Sequence, residues 1–142
     1  MSEYITRLEW KGGQELALEA DQKPGLTVAP PSDFGGSGLD WSPEELMGGA
    51  VDSCLLLTTL YFVKTSKIDL TSYRSSATVQ MDRTAEGLRI QGITLNIEAV
   101  VGNEEDVGRM RKAIEKAEKL CPVSATVRCP VEVNLQTRTG GQ

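Results

Sequence analysis

The stretch SPEELMGGAVDSCLLLTTLYFVKTS, Ser42 to Ser66, constrains the fold more than any other part of the chain. Ser42 is a good N-cap, Pro43 suits the first helical position, and Glu45 completes a capping box. The carboxylates of Glu44 and Glu45 fall at the positive end of the helix dipole. From Leu46 to Val63 the segment is apolar nearly all round, so this helix belongs in a core or in a subunit interface. Gly48, Gly49 and Ala50 leave room for a second backbone. No uninterrupted apolar run comes near the ~18 residues of a membrane span, and none is expected.

The remaining segments are built around that helix. Tyr4, Thr6, Leu8 and Trp10 alternate at period two, KGGQ is a turn, and Leu16 and Leu18 alternate again in ELALEA. DQKPG is a second turn and LTVAP a third short strand; PPSDFGGSGLDW is then a loop long enough to carry function. TSYRSSATVQMDR and LRIQGITLNIEAVV form a long hairpin across TAEG, with Gly92 as a register break. GNEEDVGRMRKAIEKAEKL is a second helix capped by Asn103. Its early acids and late bases follow the dipole, and its apolar face is Val107, Met110, Ile114, Ala117 and Leu120. After Cys121-Pro122 a short helical turn is expected, then CPVEVNLQTR as a last strand and TGGQ as a frayed tail. The order β-β-β-α-β-β-α-β predicts one α+β domain over residues 1–142, with a largely antiparallel sheet.

The chain has 142 residues and a net charge of −5, a poor balance for neutralising phosphates, so nucleic acid is not an expected partner. The N-terminus lacks a basic-then-apolar signal, and a cytoplasmic location is expected. Three cysteines, no histidine and no C-x-x-C pair argue against a zinc site on ligand grounds; no metal or cofactor is expected. The missing histidine also excludes Cys–His and Ser–His–Asp catalysis.

The cysteines then need another explanation. Cys121 precedes a proline that can open a new helical segment, where free backbone amides favour a thiolate; it can equally be a small apolar residue at a helix break. Cys54, two to three turns into the long helix, reads alone as a small hydrophobe. Together they can form a peroxidatic and a resolving thiol, which need no imidazole. Peroxide turns one thiolate into a sulfenic acid, and the second condenses with it to a disulfide.

SPEELMGGAVDSCLL, followed by AEKLCPVS, resembles the OsmC/Ohr family of organic hydroperoxide reductases and their OsmC-like relatives, over nearly the whole chain. The resemblance implies antiparallel sheets around two central helices in an intertwined homodimer. It also implies a thiol site at the subunit interface, with Cys54 peroxidatic and Cys121 resolving, and a thiol reductant (a small dithiol or a lipoyl protein). Glu44 matches the family's glutamate. Ten helical residues rise ~15 Å, so Glu44 is expected to serve the partner chain's Cys54. The family's arginine, which holds the cysteine as thiolate, is missing: no arginine lies between Arg7 and Arg74. Lys11 is the possible charge partner, without arginine's bidentate fork; Arg7 or Arg74 would have to act from another direction. Cys129 has no counterpart in the family pattern and reads as a packed residue. Met47, Leu56, Leu57 and Phe62 are expected as apolar lining.

Two functions follow. One is thiol-dependent reduction of organic hydroperoxides through a Cys54–Cys121 disulfide at a dimer interface. The other is small-ligand binding or redox sensing by the same dimer without efficient peroxidase activity. A structural or stress-associated role has no sequence feature of its own.

Overall fold

A computed structural model describes residues 1–140; Gly141 and Gln142, the end of the expected frayed tail, lie outside the described residues. The elements are β1 (Arg7–Gly12), β2 (Glu15–Glu19), β3 (Leu26–Val28), a 3-10 turn (Ser32–Phe34), α1 (Pro43–Thr65), β4 (Leu70–Thr84), β5 (Gly87–Val101), α2 (Glu105–Leu120), α3 (Pro122–Thr126) and β6 (Val131–Thr139). The architecture is α+β, in the expected order with α3 as the anticipated helical turn. The chain divides into two compact units, Met1–Met47 and the residues from Gly48 onward.

The first unit is an antiparallel sheet in the order β1-β2-β3. The loop that follows folds back on itself: Ala29 N–H donates to the Trp41 carbonyl at 2.9 Å, and Val28 bridges Trp41. Gly36 is required there, because a Cβ would lie 1.7 Å from the Pro30 carbonyl oxygen. Ser42 and Glu45 form the expected capping box. The Ser42 N–H and hydroxyl donate to Glu45 Oε1 at 3.0 and 2.9 Å, and Glu45 N–H donates to Ser42 Oγ at 3.2 Å.

The second unit holds the sheet β4-β5-β6. β4 and β5 are the expected hairpin, with a register shift between Gln80 and Met81 that skips Gln91 beside Gly92. β6 joins β5 in parallel, from Ile93↔Val131 to Val101↔Thr139, so this sheet is mixed. The physical reason is the crossover: α2 and α3 carry the chain back to the start of β5 before β6 begins. Ile93, Leu95, Ile97, Ala99 and Val101 alternate onto one buried face. Burying each Ile or Leu there contributes about 1.5–3 kcal/mol.

By length and composition α1 would be able to cross a membrane. In this fold it is a core helix that uses only one stripe, Gly48, Val51, Leu55 and Thr59. At Gly48 a Cβ would come 2.9 Å from Val79 Cγ2 and 3.5 Å from Ala77 Cβ, so the glycine sets how closely α1 approaches β4. Leu57, Leu60 and Tyr61 lie off the stripe and are exposed in the single chain.

α2 buries Asp106, Met110, Ala113, Ile114 and Ala117. Leu120, expected on the apolar face, is 63% exposed, and Cys121 takes the place beneath it at 0%. The helix ends there, and the chain turns inward at Cys121 in an extended conformation. Asn103 does not cap with its side chain. Its carbonyl accepts the Asp106 N–H at 3.0 Å, and its amide donates to the Asp106 carboxylate at 3.3 Å. That carboxylate also takes the Asp69 N–H at 3.0 Å and the Arg109 guanidinium, while Arg109 donates to the Ser66 carbonyl. The Asp69 N–H is the largest influence holding Asp106 below the usual carboxylate range; burial opposes it, and Asn103 and Arg109 add to it.

Candidate functional site: a facing thiol pair

Two local features bring the cysteines together. Cys54 stands at the edge of the buried stripe of α1, half-buried, with Thr58 Oγ1 donating to its carbonyl at 2.8 Å. Cys121 is both the last cap of α2 and the cap of α3. Its N–H donates to the Ala117 carbonyl at 2.8 Å, and its carbonyl accepts the Ala125 N–H at 3.1 Å. Pro122 opens α3, as the sequence predicts. Both thiols are free, and they stand close enough for each to act on the other's ionisation.

Their environments pull the two ionisations apart. Burial pushes the Cys54 thiol up, and donating to Cys121 raises it further. The Val123 N–H and the Thr58 side chain act the other way and do not overcome these. Burial would also raise Cys121. Against it work the Ser124 hydroxyl and N–H, the Cys54 thiol and the Val123 N–H, and their sum brings Cys121 down. The Ser124 hydroxyl also lies 3.3 Å from the Cys121 carbonyl. Within the pair, Cys121 is the thiol held low and Cys54 the one held high. Among the described residues of the single chain, none of the groups acting on Cys54 is cationic.

The other predicted residues are placed as follows. Glu44 is in the first turn of α1, and its Oε1 is buried without a hydrogen-bond partner among the described residues. Lys11 is on the exposed β1–β2 hairpin, paired with Glu9 at 2.8 Å; that carboxylate is the main influence raising Lys11. Arg7 pairs with Asp21 at 2.6 Å on the surface. Arg74 does not reach Cys54 within this chain. Its neighbour Ser75 faces α1 through Asp52, at 2.8 and 2.9 Å, so strand alternation turns Arg74 to the opposite face of the sheet.

Near the pair lies a cavity of about 210 Å³ lined by Val51, Leu55, Leu95, Val131 and Val133 together with Glu118, Ser124, Ala125 and Cys129. Met47, Leu56, Leu57 and Phe62, the expected lining, do not line it; Leu57 is 68% exposed, and Phe62 packs edge-on against Tyr61. Cys129, expected as a packed residue, opens into this cavity. The sequence reading passed over Thr58, Val123 and Glu118. Thr58 is four residues from Cys54 and Glu118 three from Cys121, the spacings that share a helix face. The Val123 amide carries no side-chain signal. Among the described residues no group of three or more Cys, Asp or Glu side chains is arranged to hold a metal ion.

The fold and the sequence point to the same relatives. The chain is 28% identical to the peroxiredoxin OsmC of Escherichia coli over 98 residues, which cover 69% of this chain and 68% of that protein. Among solved structures, an OsmC-like protein of unknown function from Vibrio cholerae matches with a TM-score of 0.86 at 18% identity, covering 96% of this chain and 100% of that one. An organic hydroperoxide resistance protein OsmC from Legionella pneumophila matches with a TM-score of 0.75 at 25% identity, covering 99% and 100%. The family model for OsmC-like proteins matches residues 35–136, which include both facing cysteines. The chain belongs to the OsmC-like protein family.

Proposed function

We propose that the protein reduces organic hydroperoxides with the Cys54–Cys121 pair, forming a disulfide that a thiol reductant later opens. The observation that carries this reading is a pair of free thiols close enough to shift each other's ionisation, with Cys121 held low, in a chain without histidine. The names of the Escherichia coli and Legionella pneumophila relatives support it.

The pair supplies its own base. Cys54 Sγ attacks the distal peroxide oxygen as its proton passes to the Cys121 thiolate; the O–O bond breaks, and the alkoxide leaves and takes a proton from water. Cys54 is then a sulfenic acid. Cys121 Sγ attacks it, the Cys121 proton leaves with the hydroxide as water, and the S–S bond forms. Two thiol electron equivalents have reduced the peroxide to alcohol and water. A cytoplasmic setting, where thiols are kept reduced, suits this cycle.

We also propose the homodimer. Leu57, Leu60 and Tyr61 on α1, and Leu8 and Trp10 on β1, are exposed in the single chain. Apolar groups in such number call for a covering partner. In such a dimer the orphaned Oε1 of Glu44 is placed to meet a donor from the partner. A second reading, a ligand-binding or redox-sensing dimer, is favoured by the missing cation at Cys54.

The test uses reduced protein and one equivalent of cumene hydroperoxide, with Cys54→Ser and Cys121→Ser for comparison. Peroxide loss with a Cys54–Cys121 disulfide in the parent alone is the expected result. Thiols that stay reduced for an hour sink the peroxidase reading and leave the binding one.

A further inference from the structure

We propose that the cavity enclosed by α1, β5, β6 and the segment from Glu118 to Cys129 binds a small organic cation, an aryl- or alkylammonium whose apolar body fills it and whose ammonium meets Glu118. This rests on the ligand-binding reading above and is independent of the peroxide cycle. The whole cavity lies within the second unit. Its floor is apolar throughout. The parallel pairing of β5 with β6 sets Leu95 beside Val133, and Val131, two residues earlier, shares that face. Val51 and Leu55, four residues apart, come from successive turns of α1. Val51, Leu55 and Leu95 belong to the buried core.

Size sets the first limit on the ligand. Protein interiors are close-packed, and voids larger than a water molecule are few. This one has a volume of about 210 Å³. An apolar cavity of about 150 Å³ already takes up benzene, so there is room here for one ring with a short arm. The way in lies beside Glu118 and Ala125, the two lining residues that are exposed to solvent.

Charge sets the second limit. The polar lining comes from the stretch between α2 and β6: Glu118, Ser124 and Cys129. The Ser124 hydroxyl is engaged with the Cys121 carbonyl at 3.3 Å. Glu118 is the one charged side chain that lines the cavity. Among the described residues its carboxylate has no ion pair, and no cation acts on it. Burial pushes this carboxyl up, and Glu115, one turn earlier, adds to the rise. An anion at the mouth of an apolar cavity, without a counter-charge, selects a cation over a neutral or acidic ligand of the same shape. The net charge of −5 attracts cations to the whole surface as well, so the test must separate the two.

The experiment titrates the reduced full-length protein at neutral pH with phenethylamine, phenethyl alcohol and hydrocinnamate, three ligands of one shape and different charge, and follows the amide NMR shifts. Saturable shifts at Leu95, Ala125 and Val133 are expected, with the amine bound roughly fivefold more tightly than the alcohol, about what a charge pair at a partly exposed site supplies. Glu118→Gln should abolish that preference and leave the alcohol's affinity as it was. Glu115→Gln removes the same charge outside the cavity and should keep most of the preference. Ala125→Trp, at the mouth, should weaken amine and alcohol alike; unchanged affinity there places the ligands elsewhere and overturns the proposal. Alcohol bound as tightly as amine in the parent refutes the cation and leaves an apolar ligand site standing. Equal loss of the preference in Glu115→Gln and Glu118→Gln also refutes it, because overall charge is then the cause. No shift at the cavity amides with any of the three overturns the proposal together with ligand binding in this cavity, and the cumene hydroperoxide test of the thiol pair stands apart from either result.

Discussion

Gly48 and Gly49 are neighbours in α1, and alanine at the two positions should act with opposite sign. In a helix interior alanine is favoured over glycine by about 1 kcal/mol. At Gly49 nothing lies within 4 Å of the place a methyl group would occupy, so Gly49→Ala should raise stability by about 0.5–1 kcal/mol. At Gly48 the added methyl meets Val79 Cγ2 at 2.9 Å, closer than real Cβ contacts. Valine is stiff at χ1 and cannot swing away. Overpacking of this kind costs about 1–3 kcal/mol, which offsets or exceeds the helical gain. The two variants should therefore differ by about 1–3 kcal/mol, at roughly 2–4 °C in Tm per kcal/mol for a chain of this size. Urea unfolding of both variants, with Val79→Ala as the relieving partner, makes the cycle. In the Val79→Ala background Gly48→Ala should become stabilising. If Gly48→Ala stabilises the parent as much as Gly49→Ala does, the close approach of α1 to β4 is not what fixes the helix. The site gives a second readout. The approach of α1 to β4 sets where Cys54 stands, so Gly48→Leu should slow diamide-driven closure of the Cys54–Cys121 disulfide several-fold.

Thiolate absorbance across pH should find Cys121 ionising below an ordinary thiol and Cys54 above it; in Cys54→Ala the Cys121 transition should move up, because its thiol donor is gone, and an unmoved transition would contradict the facing geometry. Asp106 has its folded-state ionisation lowered, so its contribution is present above the unfolded carboxylate value of about 3.9 and is lost as pH falls through the folded one. The Tm deficit of Asp106→Ala should therefore shrink as pH falls below about 4, and a constant deficit would remove the carboxylate from the account. Leu95→Ala, at a fully buried position that already borders a cavity, should cost about 2–5 kcal/mol in urea unfolding. Leu57→Asp should shift sedimentation toward the monomer if α1 is an interface, and unchanged sedimentation would count against the dimer.

The sequence alone determined the elements and their order, because those rest on local physics. Ser42, Pro43 and Glu45 cap α1 as their chemistry dictates, the alternation from Ile93 to Val101 lays one face of β5 inward, and Pro122 restarts a helix after Cys121. The two motifs around Cys54 and Cys121 also pointed to the family. Other features depend on which segments meet. The parallel pairing of β6 follows from where α2 and α3 return the chain, which no strand pattern encodes. Leu120 points out and Cys121 points in because the helix ends between them. Most of all, the opposite directions of the two thiols are set by the Ser124 hydroxyl and amide at Cys121 and by burial, without a cation, at Cys54. A hydroxyl, an amide or a charge acts on a thiol only through a distance, so tertiary structure alone could decide which sulfur is held low.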